Sequence, residues 1–146
     1  MPTSVQPSSP LAPWLRGNAI FSSLSGVAVL TFRADLPRLL GVETGSLYVA
    51  VGAGLVLYGA HLWWLASRPV SRARALSIIS GDVAWVLGSA VLLVSGRLTA
   101  AGSLIVAAAA VAVAVFAVGQ WRASPESGRR SRNRRRTRRR ASKHSG

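Results

Sequence analysis

The sequence predicts an all-α fold: a four-helix transmembrane bundle followed by a disordered, basic C-terminal tail. Three observations lead there. Half of the 146 residues are hydrophobic, and they gather into four long apolar runs with turn residues between them. Charge is segregated, whereas a soluble core of this size would spread it along every helix: the acids are Asp35, Glu43, Asp82 and Glu126, and eleven of the eighteen Lys and Arg residues follow Trp121. The mean hydropathy is +0.36 in spite of that basic tail. Runs of roughly 20 apolar residues match the thickness of a bilayer core. The chain has no cysteine, which excludes disulfides, thiolate metal sites and cysteine nucleophiles.

Residues 1–13, MPTSVQPSSPLAP, are rich in Pro and Ser and read as a flexible lead-in. They carry no basic n-region, and no small-x-small site follows the first apolar run, so no cleaved signal peptide is expected. The transmembrane domain is expected over 14–121. Its first span, about 15–32, is the shortest and most polar and is flanked by Arg16 and Arg33. Ser22-x-x-x-Gly26 in it is a small-xxx-small pair suited to close helix approach. The connection RADLPRLLGVETG holds Pro37 and two turn glycines, and its Leu36, Leu39 and Leu40 suit a membrane interface.

The second span, about 47–66, ends at Arg68-Pro69 and has His61, Trp63 and Trp64 in its last turns, where an aromatic belt forms. A loop with three arginines leads to the third span, about 75–94, and Ser95-Gly96-Arg97 turns the chain into the Ala/Val-rich fourth, about 98–120. Residues 122–146 are almost devoid of apolar side chains and read as disordered.

Four spans place both termini on one side. That face carries Arg16, Arg68, Arg72, Arg74 and the eleven basic residues of the tail, against Arg33, Arg38 and Arg97 on the other, so the positive-inside rule predicts cytoplasmic N and C termini. A weak internal repeat is visible as well. Asn18-x-x-Phe21 and Ser25 align with Asp82-x-x-Trp85 and Ser89, and Gly45-Ser46-Leu47 with Gly102-Ser103-Leu104. A true duplication would make two parallel helical hairpins related by an axis along the membrane normal.

Asp82 is the ionisable group inside the third span, where a carboxylate costs roughly 2.5–3.5 kcal/mol on insertion scales. The expected topology puts Asn18, His61, Asp82 and Gln120 together in the cytoplasmic half of the bundle. Two readings stand side by side. In one, Asp82 accepts hydrogen bonds that fix helix packing. In the other, Asp82 and His61 titrate in a small cavity and carry a proton or bind a cation or polar ligand. Trp85, one turn beyond Asp82 on the same face, either walls such a pocket or fills the bundle. The glycines Gly52, Gly54, Gly81 and Gly88 read as close-packing positions.

The tail arginines, Arg129, Arg130, Arg132, Arg134, Arg135, Arg136, Arg138, Arg139 and Arg140, suit contact with anionic lipid at about 1 kcal/mol per residue near the surface. Nucleic-acid or ribosome contact by counterion release is a second reading; no aromatic residues are interleaved for base stacking. A switch through Ser131, Thr137 or Ser142 is a third. The chain has no glycine-rich phosphate loop before a Lys, no HExxH and no GxSxG, and His61 with Asp82 falls short of a metal site, so neither an enzyme nor a cofactor is expected.

The segments GNAIFSSLSG, LPRLLGV, GAGLVLYGAHL, DVAWVLGSAVLL and LTAAGSLI, with Gln120 at the close, resemble a group of small bacterial four-span integral membrane proteins of uncharacterised function. The likeness covers about Leu15 to Gln120 and rests mainly on the Asn-Ala pair, the D-x-x-W-V-x-G-S block and the closing Gln. It implies the bacterial inner membrane and no particular activity, and the arginine-rich tail lies outside it. The functional expectation is a scaffold or accessory subunit, with other membrane proteins or a second copy as partners and the tail on anionic lipid. The alternative is a small transporter or proton-linked carrier using Asp82 and His61.

Overall fold

The computed structural model describes residues 9–68 and 70–124. The start of the expected lead-in and almost all of the expected tail, including Arg129 to Arg140, lie outside the described residues. Among the described residues the chain is all-helical, with five helices and no strand: α1 Ala12–Thr31, α2 Leu36–Leu40, α3 Gly45–Ala66, α4 Arg72–Val94 and α5 Ala100–Ala123. Three of them, α3, α4 and α5, are long and apolar enough to cross a membrane, which is consistent with a membrane protein.

The helix ends depart from the expected boundaries for local reasons. Helix α1 begins at Ala12, inside the expected lead-in, because Pro13 fits a first helical turn and Leu11 and Leu15 bury there. Helix α4 starts at Arg72 and not Ala75, since Ser71 caps it by accepting the Arg74 N–H at 3.4 Å. Thr99 caps α5 by accepting the Gly102 N–H at 2.9 Å, and the helix continues to Ala123, which takes Arg122 out of the expected tail. The connection read as an interfacial loop contains the one-turn helix α2. Pro37 suits its start, and Gly41 at φ 86° ends it by donating its N–H to the Pro37 carbonyl at 2.9 Å.

The helices associate as two pairs: α1 runs along α3 and α4 along α5, while α1 also meets α5 and α3 does not pack along α4. The α1–α3 seam closes on glycine. A Cβ at Gly26 would stand 2.6 Å from the Gly52 carbonyl oxygen and 2.8 Å from the Val56 nitrogen, and one at Gly59 would strike the Ser23 hydroxyl. Both positions must be glycine for the backbones to approach this closely.

The two ends join the pairs differently. At the end where α1 and α4 begin, Leu11, Leu15, Leu62, Leu65, Ala75 and Ile78 form an apolar core. At the opposite end α2 docks on the start of α5. The Leu40 carbonyl accepts the Thr99 N–H at 3.0 Å, the Thr99 hydroxyl donates to the Leu39 carbonyl, and a Cβ at Gly102 would lie 2.8 Å from the Leu40 Cα.

Polarity is inverted relative to a soluble protein. Leu24, Leu57, Val94 and Leu104 are 66–84% exposed, while Asn18, Ser22, Asp82, Ser89 and Gln120 are buried. Soluble monomers rarely expose contiguous apolar surface on this scale.

Candidate functional site

The inward-facing polar residues gather where the two helix pairs meet. Position 18 on α1 and position 82 on α4 both face inward, and the Asn18 amide donates to Asp82 Oδ2 at 2.8 Å. Tyr58 on α3 donates its hydroxyl to Oδ1 at 2.9 Å. Ser22, one turn along α1, donates to Asn18 Oδ1 at 3.2 Å and fixes the orientation of the amide. Three helices are thereby tied to one carboxylate that is 2% exposed. Gln120 on α5, 1% exposed, is the fourth element's contribution. Its amide stands within electrostatic reach of Asp82, yet neither its oxygen nor its nitrogen meets hydrogen-bond geometry.

Asp82 lies ten residues into α4, about 15 Å along the helix from its start. Beside it is a cavity of about 320 Å³. Asn18, Phe21, Ser22 and Ser25 wall it from α1, Asp82 and Trp85 from α4, and Ala109 and Val113 from α5. On α3 the walls are Ala50, Val51, Gly54, Leu55 and Tyr58, with Ala50, Gly54 and Tyr58 at the i, i+4, i+8 spacing of one helix stripe. Ala50, Gly54, Gly81 and Trp85 are exposed, so the cavity reaches the outer surface through the gap between α3 and α4. The gap is open at both of its glycines: a Cβ at Gly54 would meet nothing within 4 Å, and one at Gly81 would meet the Tyr58 hydroxyl alone, at 3.8 Å.

The glycines expected at close-packing positions therefore divide. Gly52 sits in the α1–α3 seam, Gly54 and Gly81 border the cavity, and Gly88 faces open space.

The sequence-derived residues also divide. Asn18 and Asp82 are bonded to each other, Gln120 is buried beside them, and Trp85 lines the cavity. His61 stands elsewhere. It is exposed and stacks on Trp64 with ring centroids 6.0 Å apart, and the Arg68 guanidinium lies 4.1 Å from the centre of the Trp64 ring. His61 lies three positions past Tyr58, about 4.5 Å farther along α3 toward its C-terminal end, beyond the cavity wall. Tyr58 and Phe21 are the site residues that the sequence reading passed over. Tyr58 was legible in principle, as the phenol on the same α3 face as Ala50 and Gly54.

No group of three or more His, Cys, Asp or Glu residues suited to a metal occurs among the described residues. The cavity can instead offer one carboxylate, three aromatic rings and a few hydroxyl and amide groups in an otherwise apolar, half-open cleft. No protein-family profile, curated protein or solved structure matches the chain.

Proposed function

We propose that the protein is a four-span bundle of the bacterial cytoplasmic membrane, with both termini in the cytoplasm, that serves as an accessory subunit and binds a small solute in the cavity at Asp82. Helix α1 is the fourth span in this reading. Its mean hydropathy is lowered by Arg16, Asn18 and three serines, but Asn18, Ser22 and Gly26 are buried while Ile20, Leu24 and Val27 are exposed, a distribution suited to lipid contact. The basic tail adds contact with anionic lipid on the cytoplasmic face.

The observation that carries the binding role is the position of Asp82 on a cavity wall. A carboxylate kept only to fix helix packing is best served by close packing around it, and the α1–α3 seam demonstrates that this chain achieves such packing. A cavity of about 320 Å³ beside the interior acid is instead near the lower limit of small-ligand sites, roughly 300–1,000 Å³. A carrier using an Asp82–His61 pair finds less support, because His61 is stacked on Trp64 outside the cavity.

The test uses the full chain in nanodiscs with 5-fluorotryptophan and benzyl alcohol as a neutral probe. The fluorine resonance of Trp85, assigned by its loss in Trp85→Phe, is expected to move saturably with probe concentration. In Gly54→Leu, which fills the gap, the movement is expected to vanish. A shift linear in probe and equal in both proteins means partition into lipid and refutes the binding role.

A further inference from the structure

We propose that the cavity at Asp82 selects an organic ammonium ion, with the charged nitrogen against the carboxylate and its apolar substituents among Phe21, Tyr58 and Trp85. This rests on the binding role proposed above and names the class of solute. The first argument is charge. Asp82 is the acid on the cavity wall, and no Lys, Arg or His side chain lines the cavity with it. Its two hydrogen bonds come from the neutral Asn18 amide and the neutral Tyr58 phenol. A carboxylate has about four lone-pair sites, so each oxygen keeps one for a further donor or cation.

The second argument is the ring set. Phe21 from α1, Tyr58 from α3 and Trp85 from α4 come from three different helices, and all line the one cavity with the acid. Aromatic faces attract cations, most strongly where water is excluded, and rings grouped around an anionic site are a recognised arrangement for alkylated ammonium groups. Third, the rest of the wall is mostly Ala, Val, Leu and Gly, with Asn18, Ser22 and Ser25 as its polar part, which suits the alkyl or aryl part of such an ion. Finally, the gap between α3 and α4 is flanked by the small residues Ala50, Gly54 and Gly81, which gives an amphiphilic ion a lateral entrance.

The test compares benzyltrimethylammonium with its uncharged isostere neopentylbenzene, both titrated against the full-length protein in phosphatidylglycerol nanodiscs and followed by the Trp85 fluorine resonance. The cation is expected to bind at least about tenfold more tightly than the isostere. Asp82→Asn keeps the shape and an acceptor, and is expected to remove most of that preference. His61→Ala is expected to keep it. If Asp82→Asn does not fold, Phe21→Leu takes its place, weakening the cation more than the isostere. Repetition in phosphatidylcholine discs separates a free ammonium ion from a lipid choline headgroup: unchanged binding assigns the site to the free ion, and competition assigns it to the headgroup. Equal affinity for cation and isostere overturns the ammonium assignment and leaves the cavity as a neutral-solute site. Absence of saturable binding by either overturns both readings.

Discussion

Helix α3 has two faces built with the same residue type to opposite ends. On one, Gly52 and Gly59 let α1 approach until a single added carbon would collide with the Leu30 side chain at the first and with Ser23 and the Ala19 carbonyl at the second. On the other, Gly54 meets nothing, and with Ala50 and Tyr58 it borders an open cavity. Glycine in a membrane helix therefore does not by itself mean a close-packed seam. Its meaning depends on what stands opposite, and here the contrast separates the part of the molecule that holds it together from the part that borders a cavity.

The largest expected effect breaks the closed face. Gly26→Leu forces its side chain into the Gly52 carbonyl and the Val56 backbone, and is expected to cost about 3 kcal/mol in reversible unfolding in detergent or nanodiscs. Gly54→Leu in the same assay is expected to change stability by less than about 0.5 kcal/mol. Equal losses in the two variants would erase the distinction between the faces.

Next comes the carboxylate that ties α1, α3 and α4 together. Asp82→Leu strands the Asn18 amide and the Tyr58 hydroxyl, at about 1–3 kcal/mol for a buried unpaired donor. Asp82→Asn retains one acceptor oxygen, so its loss is expected to be the smaller. A stability of Asp82→Leu equal to wild type would mean that the two hydrogen bonds hold nothing together.

Farther from both faces, Gly41→Ala places a side chain at φ 86° and within 2.8 Å of the Arg97 carbonyl oxygen. A loss of about 1–2 kcal/mol is expected from the left-handed backbone alone. An unchanged melting temperature would show that the clasp of α2 on α5 contributes nothing. The smallest effect belongs to His61→Ala, expected within about 0.5 kcal/mol because the ring packs on the exposed Trp64. A larger loss would return His61 to the account of the interior.

Much of this was legible in the sequence where long-range composition decides. The three long apolar helices, the interior placement of Asn18, Asp82 and Gln120, and the nearness of Trp85 to the acid all follow from run length and helical spacing. Helix α2 was hidden because five residues carry too little periodicity, although Pro37 and Gly41 mark its ends. His61 and Tyr58 were hard to tell apart, since they share one stripe of α3 with Ala50 and Gly54 and a few ångströms along the helix decide which of them reaches the cavity. The division among Gly52, Gly54 and Gly88 was out of reach, because it depends on which helix stands across from each one. The aligned pair of the internal repeat, Asn18 and Asp82, was visible as a pattern, but only the fold brings its two members to 2.8 Å.

In the proposed four-span bundle the polar side chains, including those of α1, point inward and the apolar residues meet lipid. The cysteine-free chain allows a direct measurement with single nitroxide labels placed along α1 at Ile20, Ser22, Leu24 and Val27 in nanodiscs. Collision with oxygen, which concentrates in the bilayer, is expected to be high at Ile20, Leu24 and Val27 and low at Ser22. Collision with a water-soluble nickel chelate is expected to be low at all four. High nickel access along the Ile20–Val27 face would place α1 in water and contradict the inverted four-span bundle.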